Sequence, residues 1–206
     1  MLWGLVVLGI AAGIVGLVIV TRPEPTATAQ ERQTELDNAT TTIGAAGCDA
    51  EVADVEEFLG QDGVHTEDLP PLTEYPSQPP GSGPHFAVTQ SAGFYDTPPE
   101  IGRVLHSMEH AAAVVWYAPD IDDQALEDLR YYLDGLEKVI IAPYDYEGEG
   151  GQLPQGTEMA LMAWHKMRFC DDANAPVALQ FARDYAVGAF PAARYRGNAP
   201  EAQSPI

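Results

Sequence analysis

Basic side chains are scarce in this chain. Ten lysines and arginines stand against 31 aspartates and glutamates, a formal net charge of −21 over 206 residues. So acidic a surface repels phosphate backbones, which excludes nucleic acid as a partner, and it disfavours docking on anionic lipid. A solvated acidic face, salt adaptation or the capture of cations remain. Cysteine is scarcer still, with only Cys48 and Cys170. Their even number and wide separation suit one disulfide in an oxidising compartment, or else two free thiols. A bond between them would contribute roughly 4–5 kcal/mol by loop entropy.

Catalytic signatures are missing too. The chain has no Gly-x-Ser-x-Gly, no His-Glu-x-x-His, no phosphate loop and no Cys-x-x-Cys, which leaves an enzyme as the weaker reading. Ser107 has no context that marks a nucleophile. The only hint of thiolate activation is Arg168, two residues before Cys170. The glycine-rich stretch around Glu147 and Glu149 matches a calcium loop in composition but lacks the spaced ligand order.

What the chain does have begins with an uncharged apolar run over residues 2–20. About 20 residues of helix span the hydrocarbon core of a bilayer, and Trp3 suits an interface. Gly9-Ile-Ala-Ala-Gly13 is a small-xxx-small pattern able to pack on another helix. Ala27-Thr-Ala29 has the form of a signal-peptidase site, but the run is long for a signal peptide and no charged n-region precedes it. We therefore expect a single-pass transmembrane signal anchor over residues 1–21. A polar stalk follows over 22–47, then a globular domain over 48–201 and a tail over 202–206. The cysteine pair puts the domain on the extracytoplasmic side of the cell membrane.

Within the domain the periodicities predict an α/β fold. Residues 49–59 carry Val52, Val55, Phe58 and Leu59 at helical spacing. Residues 60–99 form a long loop rich in proline and glycine, expected to be ordered because Tyr75, Phe86, Phe94 and Tyr95 need something to pack on. A short helix over 99–110 follows, then a buried strand over 113–117. Asp120 or Asp122 caps a helix running to Leu136. Strands follow over 138–142 and 157–165, the latter antiparallel to its predecessor, and a helix over 176–187. The order is β-α-β-β-α with a small mixed sheet, similar to half of several α/β sandwich folds, the thioredoxin-like core among them.

Three of the five histidines fall in residues 79–110. His106 and His110 are four apart, so on a helix their imidazoles share a face and can grip one ion. His85 follows Gly81-Ser-Gly-Pro84, a turn whose residues fix the backbone path. The set His85, His106 and His110 suits zinc or copper, with His65, Met108 or Glu109 completing the shell, and a thioether tilts the choice toward copper. On a regular helix Met108 and Glu109 would point away from the histidine face, which makes Glu109 a partner orienting an imidazole rather than a ligand. The competing view is that the histidines brace the loop by hydrogen bonds to carbonyls and carboxylates.

Several of these stretches are similar to one family. Tyr75-Pro-Ser-Gln-Pro-Pro-Gly-Ser-Gly-Pro-His85, Gly93-Phe-Tyr95, Leu105-His-Ser-Met-Glu-His110, Ala142-Pro143, Ala163-Trp164 with Cys170, and Ala199-Pro-Glu201 together resemble the prokaryotic family known as domain of unknown function 3105. The resemblance covers residues 48–201 and implies a single-pass extracytoplasmic protein with no established activity. Two departures stand out. Ala111 follows His110 where the family usually has glycine, and His165 follows Ala163-Trp164 where a small residue is common, which sets His165 apart from any shared site. The function expected is a membrane-anchored, extracytoplasmic copper- or zinc-binding protein. The alternative is a non-catalytic module of a membrane complex or of a self-assembly, with the histidines structural.

Overall fold

The structure is a computed structural model that describes Val6–Val7, Val18–Ile19 and residues 25–206. The two short N-terminal segments pair antiparallel instead of lying in one helix. The rest of the run expected to form the membrane anchor lies outside the described residues. Among the described residues no helix is long and apolar enough to cross a membrane.

A run of buried β-branched and small residues builds the centre of the fold. Ala113–Tyr117 (β3) and Val139–Pro143 (β4) are buried at every position and pair in parallel. Strands buried on both faces carry such unbroken apolar runs. The helix between them, Asp123–Leu133 (α3), is capped by the Asp122 side chain and makes β3-α3-β4 a crossover unit. Met159–Ala163 (β7) lies antiparallel to β3, and Lys166–Cys170 (β8) lies antiparallel to β7. Two-residue strands close the edges: Ala53–Asp54 (β1) beside β8, and Gly93–Phe94 (β2) parallel to β4. The six-stranded mixed sheet therefore runs β1-β8-β7-β3-β4-β2. A small hairpin of Asp145–Tyr146 (β5) and Gly151–Gln152 (β6) holds the acidic excursion.

Alternation along β3 divides the core. Ala113, Val115 and Tyr117 face one cluster, with α3, Ala175–Tyr185 (α4) and the disulfide Cys48–Cys170. Val114 and Trp116 face the other, with Ile101–Glu109 (α2) and the loop around Tyr75. The mixed α/β class agrees with the sequence reading.

One local expectation is overturned. Residues 49–59 are extended, not helical: Asp49 and Val55 donate backbone N–H groups to Phe169 and His165. The edge they follow is β8, an element the sequence reading passed over. Within the polar segment expected as a stalk, a helix forms. Ala29–Thr42 (α1) forms a helix closed by a reciprocal capping box between Thr28 and Glu31. It buries Leu36 and Ala39, and its Arg32 donates to the Tyr132 and Asp134 carbonyls. The third expected strand, β7, is antiparallel to β4 as foreseen, and it lies beside β3, with β4 on the far side of β3.

The long loop is ordered by polar ties rather than by regular structure. Tyr75 is buried and its hydroxyl donates to the Pro84 carbonyl at 2.7 Å. Ser82 donates to the Glu56 carbonyl, and the His165 N–H donates to the Gly81 carbonyl.

Candidate metal centre

Four of the five histidines meet where this loop crosses the C-terminal end of α2. His85 is fully buried; its N–H donates to the Val64 carbonyl and its own carbonyl accepts from Thr66. That isolated parallel bridge sets His65 beside it, with ring centroids 5.0 Å apart. Residue 86 then runs along α2, and the Phe86 carbonyl meets His106. Two glycines permit the approach. A β-carbon on Gly102 would lie 2.7 Å from the Phe86 ring, and one on Gly63, whose φ is +69°, would lie 2.7 Å from a Glu109 oxygen.

The donor atoms face inward by a shared device. His85, His106 and His110 direct Nδ1 at the carbonyls of Gly83, Phe86 and Pro205, at 2.8, 2.7 and 2.7 Å. A carbonyl oxygen only accepts, so each Nδ1 carries the proton and each neutral ring presents the Nε2 lone pair. Those lone pairs meet other acceptors. His85 Nε2 lies 3.0 Å from Glu109 Oε2, His106 Nε2 lies 2.9 Å from His110 Nε2, and His110 Nε2 lies 3.0 Å from Glu201 Oε2. Each contact is satisfied only by a shared proton or a cation. Burial pushes the His106 pKa down against the bond from its Nδ1 to Phe86, which disfavours a second proton on that ring. Burial alone would raise the Glu109 carboxyl, yet its pKa is lowered by His85 Nε2 and the surrounding imidazoles, which favour the carboxylate only when a proton or cation is shared in the cluster.

Two donor sets result. His65, His85, His106 and Glu109 bring one atom each to within 4.8 Å of one another, and so do His106, His110 and Glu201. An ion about 2.1 Å from each donor separates tetrahedral ligands by about 3.4 Å, close to the spacings seen. These histidine and acidic groups are able to hold a metal ion.

The sequence-derived set is thus brought together in altered form. His85 and His110 fall in different sets, joined by His106. Met108 does not take part: half a turn from His106, it is fully buried in the apolar core. Glu109 is oriented opposite to expectation, because three residues after His106 it shares that residue's face and turns its carboxylate inward. Glu201 was missed as a donor although it ends one of the motifs that carry the resemblance. His165 stands apart, bound to the Val55 carbonyl and at 2.7 Å to Asp62. Ser107 donates to the Gln90 and Arg103 carbonyls, a structural hydroxyl.

A family model described as protein of unknown function, DUF3105, matches residues 71–200. The chain belongs to this family. The match contains His85, His106, Glu109 and His110, and it ends one residue before Glu201. No characterised protein and no solved structure matches the chain. The family therefore fixes kinship and leaves activity to be argued from the site.

Proposed function

We propose that this protein is an extracytoplasmic metal-binding protein whose principal site is His65, His85, His106 and Glu109, holding one divalent copper or zinc ion. The observation that carries this reading is the convergence of Nε2 lone pairs on one another and on carboxylates, with the Nδ1 of His85, His106 and His110 each spent on a backbone carbonyl. Carbonyl partners of that kind are how proteins fix the tautomer of a metal-binding imidazole. With Met108 in the core, softness no longer favours copper, and intrinsic affinity is what ranks it ahead of zinc. The disulfide supports an oxidising compartment, and the apolar run 2–20 supports attachment to the cell membrane.

Elemental analysis of untagged full-length protein after reconstitution and desalting tests the site. One ion per chain is expected for the wild type and much less for His85→Ala with His106→Ala. Equal metal content in both would leave the histidines as braces of the loop. A second reading, a docking module for a membrane partner or another copy, draws on Leu59, Val64 and Val88, which stand exposed around the loop. A stoichiometric partner co-purifying with metal-free protein would favour it.

A further inference from the structure

The two donor sets share His106 and differ in kind. The inner one offers four donors, with His85 fully buried. The outer one offers three. Each set reaches solvent at one donor: the His65 side chain of the inner set is 45% exposed and the Glu201 side chain of the outer set 49%. What separates them is donor number: four protein donors fill a tetrahedral shell, whereas three leave a position for an incoming ligand.

Glu201 is carried on a strap, residues 199–205, tied across the end of α2. The Glu201 N–H donates to the Glu109 carbonyl at 3.1 Å. The Lys138 ammonium, itself buried, donates to the carbonyls of His110, Ala202 and Ser204 at 2.8, 3.0 and 2.6 Å. His110 Nδ1 donates to Pro205 in the same strap. A buried lysine spent entirely on carbonyls is a costly way to hold a tail, and it holds this one so that Glu201 reaches His110.

Resting on the metal-binding reading, we propose that the two sets are successive seats for one ion and that the strap side is its outlet. His106 Nε2 has one lone pair and serves one ion at a time, so the seats are alternatives. In the transfer the bond to His106 is kept, the bonds to His65, His85 and Glu109 break, and bonds to His110 and Glu201 form. No electron moves and no proton is needed. Each seat holds one carboxylate, so the ion meets the same formal charge at both ends of the step. The fourth position of the outer seat then accepts a donor from an acceptor molecule, an imidazole or a thiolate by its chemistry, and the ion leaves by ligand exchange. The function is delivery rather than storage.

The test uses full-length chains, each loaded to one zinc ion and mixed with excess 4-(2-pyridylazo)resorcinol in a stopped-flow instrument. Release from Glu201→Gln, and from Lys138→Met, which loosens the strap without removing a donor, is expected to be at least tenfold slower than from wild type. Cobalt(II) substitution gives an independent reading. In His85→Ala the visible bands should weaken as the ion takes the three-donor seat and adds water, and the further change Glu201→Gln should abolish them. Release rates equal to wild type in both strap variants overturn the proposal, as does the binding of two ions per wild-type chain. A wild type that holds no metal sinks the metal-binding reading itself, and this inference with it.

Discussion

At the scale of single residues, Ala111 and His165 share one backbone feature. Ala111 has φ +63° and His165 has φ +57°. Ala111 ends α2 in a Schellman arrangement, with its own N–H on the Met108 carbonyl and the Ala112 N–H on the Ser107 carbonyl. His165 is the second residue of the two-residue turn between β7 and β8. Both positions favour glycine for the same steric reason. A left-handed conformation costs an L-residue about 1–2 kcal/mol, and burial of the Ala111 methyl returns roughly 0.8 kcal/mol. Ala111→Gly is therefore expected to raise stability by up to about 1 kcal/mol, read as a higher denaturant midpoint at unchanged slope. A lower midpoint would mean that the methyl's packing outweighs the strain. His165 gains what strain takes, because its ring ties Val55 and Asp62.

At the scale of elements, strong periodic runs were legible and half-buried ones were not. β3 and β4 stood out because every position is apolar. β8 alternates Lys166, Arg168 and Cys170 with Met167 and Phe169, and beside the turn signal it was absorbed into the segment after the third strand. Without β8 as a partner, residues 49–59 looked helical from spacing alone. On α2 the i,i+4 histidine pair was legible because it depends only on helical geometry, whereas Glu201 reaches His110 through a tertiary approach that no local pattern encodes. Gly102 shows what that approach requires. In isolation, replacing a helical glycine by alanine stabilises by about 1 kcal/mol. Here the new methyl meets the Phe86 ring and the Leu69 side chain, at 2.7 and 2.9 Å, an overpacking that costs roughly 1–3 kcal/mol. Gly102→Ala is expected to lose stability, and by displacing Phe86 it should also free His106 Nδ1 and weaken metal binding about 10–100-fold. Competition titration against a chelator checks this; unchanged affinity would mean that Phe86 does not orient His106.

At the scale of the whole molecule, the sheet separates the disulfide from the candidate metal donors. The disulfide joins Cys48 to the end of β8 across 122 residues and lies with α3 and α4 on one face. The donor atoms lie with α2 on the other. Closing so long a loop is worth roughly 4–5 kcal/mol, so reduction with the fold otherwise intact should lower stability by about that amount. An ion present at a hundredfold excess over its dissociation constant adds about 2.7 kcal/mol through mass action. Devices without shared contacts add within about 0.5 kcal/mol. The metal-induced increment in unfolding free energy should therefore be the same in oxidised and reduced protein, measured by denaturant titration with and without zinc. The cysteine pair was legible because two cysteines leave one pairing; which face it would occupy was not, because that follows from β8. Should the metal increment vanish on reduction, Cys170 and β8 would be shown to hold β7, and with it the Trp164 ring that packs edge-on against His85 at 5.8 Å, in the position the site requires.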